Sequence, residues 1–339
     1  MLTTLMASIL LGLPPRPVTF SFSSSSAKKV EIAGDFNAWS KLIPLSRNGS
    51  KWTRTFSLPD DARIEYKFVV DGKWILDPSN PTHVNNGVGG ENSVWRGKSY
   101  QFHAHDGTPK HPMERMELHI GGRTVIAFAP KESTDLPIII YGDGPSYENP
   151  GRVQYVLENL VEAGTCRPAV VVLVPPIDRM LEYGDDWRAY GDYIFMDLLP
   201  TVRRRTDASA RAEDTFMGGS SLGGLISLRL AEEFPDKLAG GIQCQSAAVQ
   251  WAALAIEHNE AVTPDKLKRI SPSCRIWLDW GDFEDTLTAA NQKLATTLRG
   301  QHRAFGFKTT SEGHTWTAWR NRMEAGLTYL LPAKLKTER

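Results

Sequence analysis

The N-terminal part of the chain shows a strand-like alternation of apolar and polar residues. Short runs such as Val18–Phe22 and Ile64–Phe68 place an apolar residue at every second position, which puts one face of each strand in a core. Turn-forming residues separate the runs. Asp71-Gly72 is a favoured two-residue hairpin turn, because glycine accepts the positive φ that such a turn needs. Several short strands predict a small β-sandwich over residues 17–97.

The pattern changes to apolar runs separated by amphipathic segments over residues 113–335. Helical spacing appears at Gln154–Ala163 and Leu222–Glu233. Buried strands are predicted at four apolar runs, Thr124–Ala129, Pro137–Tyr141, Ala169–Val174 and Thr215–Met217. Buried parallel strands separated by helices indicate an α/β domain.

A polar stretch without periodicity, residues 98–112, is interpreted as the linker between these domains. It contains His103, His105 and His111. A metal site built from these histidines is the alternative to an interdomain tether.

Composition limits the choice of partners. The chain has 339 residues, which favours two domains. Lys+Arg and Asp+Glu both number 39, so no basic excess points to nucleic acid. The cysteines are Cys166, Cys244 and Cys274. Their odd number and their spacing predict neither a disulfide framework nor a metal site, and they imply at least one free thiol.

Residues 1–16 are interpreted as a leader or signal segment. Met1–Leu13 is apolar, but no basic residue precedes it, and Leu13-Pro14-Pro15 is not a small-residue cleavage site. A misassigned start codon or a plain leader explains it equally well, so the location is left open between cytoplasm and export. No later apolar run is long enough for a bilayer span.

The sequence Gly219-Ser220-Ser221-Leu222-Gly223 matches G-x-S-x-G, with a predicted strand before it and a predicted helix after it. In this context the central serine, Ser221, sits on a strained turn, and small flanking residues let strand and helix approach. The helix N-terminus offers amides to a developing oxyanion, with Leu222 as the first donor. A Gly/Ser-rich loop without chemistry is the alternative.

A serine hydroxyl needs a base to accept its proton. Three histidines follow the predicted nucleophile, namely His258, His302 and His314. His258 and His302 lie in polar helical surroundings that indicate solvent exposure. His314 lies in a loop before the final helix, where an α/β-hydrolase places its base, and is chosen here.

The acid is expected after the apolar strand Ile276–Trp280, where three carboxylates follow in close succession. Glu284 is preferred, followed by Asp285 and then Asp282. The second oxyanion donor is expected after the Pro137–Tyr141 strand, at Gly144 or Ser146, because Pro145 between them has no N–H. Of the two, Gly144 is the predicted donor.

With these residues identified, the region from about Met113 to Leu331 resembles the enterochelin-esterase-like branch of the esterase D superfamily. The matching segments are Asp143-Gly144, Asp178-Arg179, Glu182-Tyr183, Gly218–Gly224, Gly281–Glu284, Gly313–Trp316 and Trp319-Arg320. The same superfamily contains feruloyl and acetyl-xylan esterases, so the resemblance implies ester cleavage. No metal or organic cofactor is implied by the sequence. Asp178, Arg179, Glu182 and Tyr183 are expected to form an ion-pair network, structural or at the pocket edge.

The N-terminal region resembles the glycogen-binding module of AMP-activated protein kinase β subunits, grouped with family 48 carbohydrate-binding modules. The resemblance rests on Gly34–Leu42, Tyr66–Trp74, Asp77-Pro78 and Asn92. It implies that Trp39 and Trp74 stack on glucose units while Lys67 and Asn92 hydrogen-bond the hydroxyls. A docking domain that binds no sugar is the alternative.

The fold class predicted is therefore α/β: an α/β-hydrolase catalytic domain with an N-terminal immunoglobulin-like β-sandwich. The function predicted is a serine carboxylic ester hydrolase acting on carbohydrate-linked or hydroxycinnamoyl esters, with an α-glucan-binding module. A siderophore esterase that opens a catecholate trilactone is the second hypothesis. A glycan-binding protein with an inactive hydrolase scaffold is the third, and the complete set Ser221, His314 and Glu284 weighs against it.

Overall fold

The computed structural model describes residues 14–87, 89–102, 105–131, 134–250 and 262–333. Contacts divide the chain into two compact units. The first comprises the residues up to Gln101 with Ser311–Gly313, and the second comprises Phe102–Thr310 with the residues from His314 onward. The predicted leader lies almost wholly outside the described residues.

The first unit is built from antiparallel strands. In chain order they are β1 (Arg16–Ser23), β2 (Val30–Gly34), β3 (Ile43–Pro44), β4 (Ser46–Asn48), β5 (Lys51–Leu58), β6 (Arg63–Val70), β7 (Lys73–Ile75), β8 (His83–Asn85) and β9 (Glu91–Arg96). One sheet has the order β1-β5-β4 and the other β3-β2-β6-β9-β8, with β7 added to β6.

Aromatic side chains join the two sheets of this unit. Phe20 on β1 packs on Tyr66 of β6 with 4.7 Å between ring centroids, and Phe22 packs on Phe68 at 5.5 Å. The alternation along β1 thus supplies one wall of the core and that along β6 the other. The turn at Asp71-Gly72, with φ of 48° and 85°, joins β6 to β7 as predicted, and the prediction of a β-sandwich is confirmed.

The second unit contains eight strands and eight α-helices among its described residues. The strands are β10 (Glu114–Ile120), β11 (Arg123–Ala129), β12 (Ile138–Gly142), β13 (Val170–Val174), β14 (Thr215–Ser220), β15 (Gly241–Gln245), β16 (Arg275–Gly281) and β17 (Phe305–Thr310). The helices are α1 (Gly144–Glu148), α2 (Val153–Glu162), α3 (Trp187–Asp192), α4 (Leu199–Thr206), α5 (Leu222–Glu233), α6 (Pro264–Leu267), α7 (Thr286–Gly300) and α8 (Trp316–Leu330). Leu181–Asp185 and Tyr193–Leu198 are π-helical.

A single sheet of order β10-β11-β13-β12-β14-β15-β16-β17 carries this unit. Along β12, Ile138 and Ile140 belong to one apolar cluster and Ile139 and Tyr141 to another, because successive strand residues point to opposite faces. Helices therefore cover a sheet that is apolar on both sides, and the predicted α/β architecture is confirmed.

One strand prediction is wrong in its direction. Thr124–Ala129 falls in β11, which is antiparallel to both β10 and β13. The reason is a two-residue turn at Gly121-Gly122, with φ of 58° and 75°, that folds β10 back onto β11 as a hairpin. From β13 to β17 the remaining pairs are parallel.

The three cysteines of the chain, Cys166, Cys244 and Cys274, are buried free thiols. Burial raises the pKa of Cys166 to about 11 and that of Cys274 to about 12, and it raises the pKa of Cys244 as well. None of the described helices combines the length and the hydropathy needed to cross a bilayer.

Candidate active site

The loops that carry the predicted catalytic residues leave one edge of the sheet. Ser221 follows β14, Glu284 lies after β16 and His314 lies after β17. These strands are parallel, so their carboxyl ends meet at the same edge. Ligands of open α/β sheets bind at this edge, and the chain order serine, acid, histidine is that of α/β-hydrolases.

Ser221 occupies a strained turn between β14 and α5, with φ 57° and ψ −120°. Such a conformation costs about 1–3 kcal/mol and persists only where the surroundings hold it. Its amide donates to the Gln245 carbonyl, and its carbonyl accepts from the Ala248 amide, both at 2.9 Å. A Cβ on Gly219 would lie 2.3 Å from the carbonyl carbon of Gly223, so the close packing of β14 on α5 requires glycine there.

Two helix N-termini supply the predicted oxyanion donors. Leu222 is the first residue of α5 and Gly144 the first residue of α1, and the first amides of a helix have no partner within it. A Cβ on Gly144 would lie 2.7 Å from the carbonyl carbon of Leu173. The alternative donor, Ser146, instead gives its amide to the Asp143 carbonyl at 2.9 Å. Leu222 and Gly144 therefore stay the predicted donors.

The structure brings His314 and Glu284 together. Nδ1 of His314 lies 3.4 Å from Oε2 of Glu284. The imidazole packs edge-to-face on Trp319, with 4.8 Å between centroids. A carboxylate beside Nδ1 holds the proton on that nitrogen and leaves Nε2 as the acceptor.

The carboxylate of Glu284 is buried and held by several donors. Oε1 accepts from the Ser246 hydroxyl at 2.8 Å and from the Gly281 amide at 3.0 Å, and Nη2 of Arg322 lies 3.4 Å away. Burial opposes ionisation, but the hydrogen bond to His314 and the charge of Arg322 outweigh it and hold the pKa of Glu284 below its ordinary value. The carboxylate is therefore ionised at neutral pH.

The two competing carboxylates have different surroundings. Asp282 and Asp285 are exposed. Asp285 is the N-cap residue of α7, with φ 49°, and the amide of Asp282 donates to the Thr310 carbonyl at 2.9 Å. Of the three acids in this loop, Glu284 is the buried one.

Three buried polar residues near Glu284 are not singled out by the sequence. The hydroxyl of Ser246 accepts from Trp319 Nε1 at 3.0 Å and from Arg322 Nη2 at 2.9 Å. Nε of Arg322 donates to Asp279 Oδ1 at 2.8 Å. An arginine in the middle of α8 carries no signal of burial. For Ser246, the available signal is its position directly after a strand.

The residues expected to form an ion-pair network make their ion pairs with partners outside the predicted set. Within the set, the guanidinium of Arg179 lies over the ring of Tyr183, 5.5 Å from its centroid. Arg179 binds Asp143 through Nε at 2.7 Å and Nη2 at 2.8 Å, which holds the backbone just before the predicted donor Gly144. Glu182 pairs with Arg123 at 2.7 Å. Oδ1 of Asp178 accepts hydrogen bonds from the backbone amides of Met180 and Leu181, both at 3.0 Å.

The remaining histidines lie partly inside and partly outside the described residues. His302 is exposed, and His258 lies outside the described residues, as does His103 of the predicted linker. Nδ1 of His105 lies 2.9 Å from Oε2 of Glu324. In the part of the chain that the structure describes, no group of three or more His, Cys, Asp or Glu side chains is arranged to hold a metal ion.

The first unit carries an aromatic platform. The rings of Trp39 and Trp74 stack with 6.4 Å between centroids and 29° between planes, and Trp74 is 52% exposed. Trp39 has φ 57°, which is unusual for a bulky residue, and its Nε1 donates to the buried carboxylate of Asp35 at 2.9 Å. The two tryptophans that are predicted to stack on glucose units thus lie next to each other on this unit.

The two polar residues predicted to bind sugar lie on neighbouring strands. Lys67 on β6 directly follows Tyr66, and Asn92 on β9 directly precedes Ser93, the residue that pairs with Tyr66. Lys67 is half-buried. Asn92 is buried, and its Nδ2 donates to Oε2 of Glu65 at 2.8 Å, so one of its amide protons is directed to the interior.

Comparison with known proteins agrees with this architecture. Residues 119–330 match the family model described as "Putative esterase", and residues 16–95 match that of the glycogen recognition site of AMP-activated protein kinase. The chain is 30% identical to the iron(III) enterobactin esterase of Escherichia coli over 60% of this chain and 52% of that protein. It is 38% identical to the β-1 subunit of AMP-activated protein kinase from Bos taurus, over 27% of this chain and 32% of the subunit.

A solved structure extends the likeness to the whole fold. The enterobactin esterase of Shigella flexneri, determined in the presence of enterobactin, superposes with a TM-score of 0.75 at 24% identity, covering 94% of both chains. The chain spans about half of the E. coli esterase and about a third of the kinase subunit.

The family model covers more than half of the chain, and the prediction of a carboxylic ester hydrolase is confirmed at the level of the family. The chain therefore belongs to the esterase family and carries a domain of the glycogen-recognition type at its N-terminal end.

Proposed function

We propose that this protein is a serine carboxylic ester hydrolase in which Ser221 is the nucleophile, His314 the general base and Glu284 the residue that orients the base. The observation that supports it most strongly is the buried carboxylate of Glu284 beside Nδ1 of His314, at the sheet edge where Ser221 holds its strained turn. A serine nucleophile requires a base to accept its proton and an acid to orient that base, and these three residues are of the types that fill the three roles.

In the proposed mechanism the Ser221 hydroxyl attacks the ester carbonyl carbon while Nε2 of His314 accepts its proton. The amides of Leu222 and Gly144 stabilise the oxyanion of the tetrahedral intermediate. The intermediate collapses, His314 protonates the departing alcohol, and the acyl group stays on Ser221. Water, activated by the same histidine, then releases the acid. Glu284 stays ionised throughout and stabilises the imidazolium.

For the substrate we propose a carbohydrate-linked or hydroxycinnamoyl ester, with the N-terminal domain binding α-glucan. The stacked pair Trp39 and Trp74 supports this proposal, as does the match of residues 16–95 to a glycogen recognition site. Binding the polymer would raise the local concentration of its ester groups without altering the chemical step.

A siderophore esterase is the second candidate. It is supported by the 30% identity to an iron(III) enterobactin esterase and by a likeness to an enterobactin esterase structure over 94% of the chain. In this case the substrate is a catecholate trilactone, and iron belongs to that substrate. The chemistry at Ser221 would be the same, since each lactone bond is a carboxylic ester.

The test is hydrolysis by the purified full chain of p-nitrophenyl acetate, methyl ferulate, an acetylated polysaccharide and ferric enterobactin. Ser221→Ala should lower kcat by up to roughly a million-fold. Ser220→Ala is the matched control, because Ser220 is the adjacent serine of the same motif and is buried on β14.

Each outcome discriminates between the candidates. Serine-dependent cleavage of the polysaccharide or ferulate ester supports the first, and selective cleavage of ferric enterobactin supports the second. Equal activity of Ser221→Ala and the wild type would refute the mechanism. Inactivity on the whole panel would favour a glycan-binding protein with an inactive hydrolase scaffold.

A further inference from the structure

Ser246 lies directly after β15, at the sheet edge where the proposed triad is placed. Its backbone has φ 46°, a left-handed conformation that persists in a serine only where the surroundings hold it. The residue is fully buried, and its amide donates to the Asp279 carbonyl at 2.6 Å. The backbone therefore fixes the direction in which the Ser246 side chain points.

The hydroxyl of Ser246 has partners that leave one direction for its proton. The oxygen lies 3.0 Å from Nε1 of Trp319 and 2.9 Å from Nη2 of Arg322. An indole N–H and a guanidinium only donate, and a hydroxyl oxygen has two acceptor positions, so these two groups fill both. The hydroxyl proton is left for Oε1 of Glu284, 2.8 Å away. The chemistry of its partners thus makes Ser246 a donor to Glu284.

This hydrogen bond reaches the oxygen of Glu284 that is not paired with the base. Oε1 also accepts from the Gly281 amide at 3.0 Å, and Nη2 of Arg322 lies 3.4 Å from it. The other oxygen, Oε2, lies 3.4 Å from Nδ1 of His314. Rotation of the carboxylate would break the bonds to Oε1, so these donors keep Oε2 directed at His314.

The same hydroxyl holds an aromatic ring that packs on the base. Trp319 donates its indole N–H to Ser246, and its ring lies edge-to-face with His314, with 4.8 Å between centroids. Trp319 belongs to α8, whereas Glu284 lies in the loop between β16 and α7. One buried hydroxyl therefore joins two separate elements that each contact the imidazole.

We propose that Ser246 is a positioning residue of the ester hydrolase, which orients His314 through its hydrogen bonds to Glu284 and Trp319. The inference rests on the proposed triad and adds to it a residue that acts through two others. Without the hydroxyl, Oε1 loses a donor and the indole N–H loses this acceptor. The carboxylate and the ring are then free to shift, and Nε2 of His314 is no longer held towards Ser221.

Ser246→Ala tests the proposal in the purified full chain. We expect kcat for p-nitrophenyl acetate to fall about 10–100-fold, because a displacement of about 1 Å in an active site can cost about a hundred-fold. KM should stay within about two-fold, since the lost bonds act on proton transfer and not on substrate binding. Inactivation by phenylmethylsulfonyl fluoride should slow in parallel, because this reagent sulfonylates Ser221 with loss of fluoride and depends on the same base.

Two further variants separate positioning from stability. Ser246→Gly removes the same hydroxyl, and glycine adopts a positive φ without strain, so it should show the same loss of kcat. Ser209→Ala is the matched control, because Ser209 is also buried and donates to Asp214 Oδ2 at 2.9 Å. Asp214 precedes β14 and Ser221 follows it, so this pair lies at the other end of the strand and kcat should stay within about two-fold.

Thermal unfolding followed by circular dichroism establishes that each variant is folded. Wild-type kcat in Ser246→Gly, a loss confined to KM, or an equal loss in Ser209→Ala would overturn the inference. An inactive Ser221→Ala beside a fully active Ser246→Ala would refute the role of Ser246 and leave the triad standing. Wild-type activity in Ser221→Ala would refute the triad, and the inference with it.

Discussion

At the residue scale, the buried guanidinium of Arg322 forms ion pairs with two carboxylates. The guanidinium of Arg322 is fully buried between Asp279 and Glu284. Burial raises the pKa of Asp279 in spite of this partner, and the charge of Glu284 adds to the effect. Removing one member of such a group leaves an uncompensated charge, which costs about 3–5 kcal/mol. The orientation of the proposed triad acid is therefore coupled to the stability of the core beneath it.

Glu284→Gln should lower kcat for p-nitrophenyl acetate by about 10³–10⁴-fold, because the amide neither fixes the tautomer of His314 nor stabilises its imidazolium. Asp285→Asn, which alters an exposed neighbour, should change kcat less than about three-fold. Steady-state kinetics on the two variants tests which carboxylate orients His314. A larger loss of kcat in Asp285→Asn than in Glu284→Gln would assign that role to Asp285.

The raised pKa of Asp35 predicts that the stability of the fold depends on pH. The sign of this dependence is opposite to that expected from the lowered pKa of Glu284. Burial and the nearby Glu65 raise the pKa of Asp35 from 3.8 to about 7. The folded state thus holds a proton that the unfolded state loses, so stability is fully present below pH 4 and declines as pH rises towards 7.

Asp35→Asn should flatten this decline, by at most about 1.4 kcal/mol per pH unit. The measurement is urea unfolding of the full chain between pH 4.5 and 8, followed by tryptophan fluorescence. Glu91→Gln, a change of an exposed carboxylate on β9, is the control and should keep the wild-type slope. An unchanged slope in Asp35→Asn would contradict the prediction.

The residues that the sequence singles out are those with a local signature. Ser221 lies in a five-residue motif, and His314 lies in a loop next to the final helix. Ser246 and Arg322 have no such signature because their partners come from strands and loops far away in the chain. Their burial depends on the tertiary structure, which a single sequence does not display.

At the element scale, the junction of β14 with α5 shows how backbone contact positions the nucleophile. Helix α5 begins at Leu222 and ends at Glu233, the bounds predicted from periodicity. The hairpin of β10 and β11 was not predicted, although Glu114–Ile120 alternates and Gly121-Gly122 follows it. In β10 the apolar residues Met116 and Leu118 are only partly buried, and Ile120 is the buried one, so the signal of this edge strand is weak beside that of the central strands.

Gly219→Ala should destabilise the fold by about 3 kcal/mol or more, because the new Cβ would meet the Gly223 backbone at 2.3 Å and overpacking against backbone has no easy relief. Gly223→Ala is the matched control. Its Cβ would lie 3.3 Å from Asp143 Oδ2, and alanine favours the helix by up to about 1 kcal/mol, so its stability should stay within about 1 kcal/mol of wild type. Calorimetric unfolding compares the two, and similar losses would contradict this reading of the junction.

At the scale of the whole molecule, two units with separate cores suggest a division of labour. The aromatic platform lies in the first unit, and the proposed triad lies in the second. The order of the two architectures could be predicted because a period of two and an alternation of strands with helices are visible along the chain. The choice of substrate could not, since it depends on side chains that converge from several loops.

Trp74→Ala should weaken retention of the full chain on glycogen about ten-fold, the effect of losing a stacking face, while kcat/KM for p-nitrophenyl acetate stays the same. Trp74→Tyr keeps an aromatic face and should restore much of the retention. Affinity electrophoresis in glycogen gels gives the first quantity and kinetics the second. Equal loss of both in Trp74→Ala would mean that the tryptophan is structural.

The three buried thiols have a practical consequence. A thiol reacts as its thiolate, and burial with a raised pKa makes all three native cysteines poor nucleophiles. A maleimide dye should therefore attach selectively to a cysteine introduced on the surface. Ile177 is 69% exposed and lies two residues before Arg179, whose guanidinium holds Asp143. The Ile177→Cys variant could therefore be labelled without first replacing the three native cysteines. A fluorophore at this position would report the arrival and departure of ligands in real time.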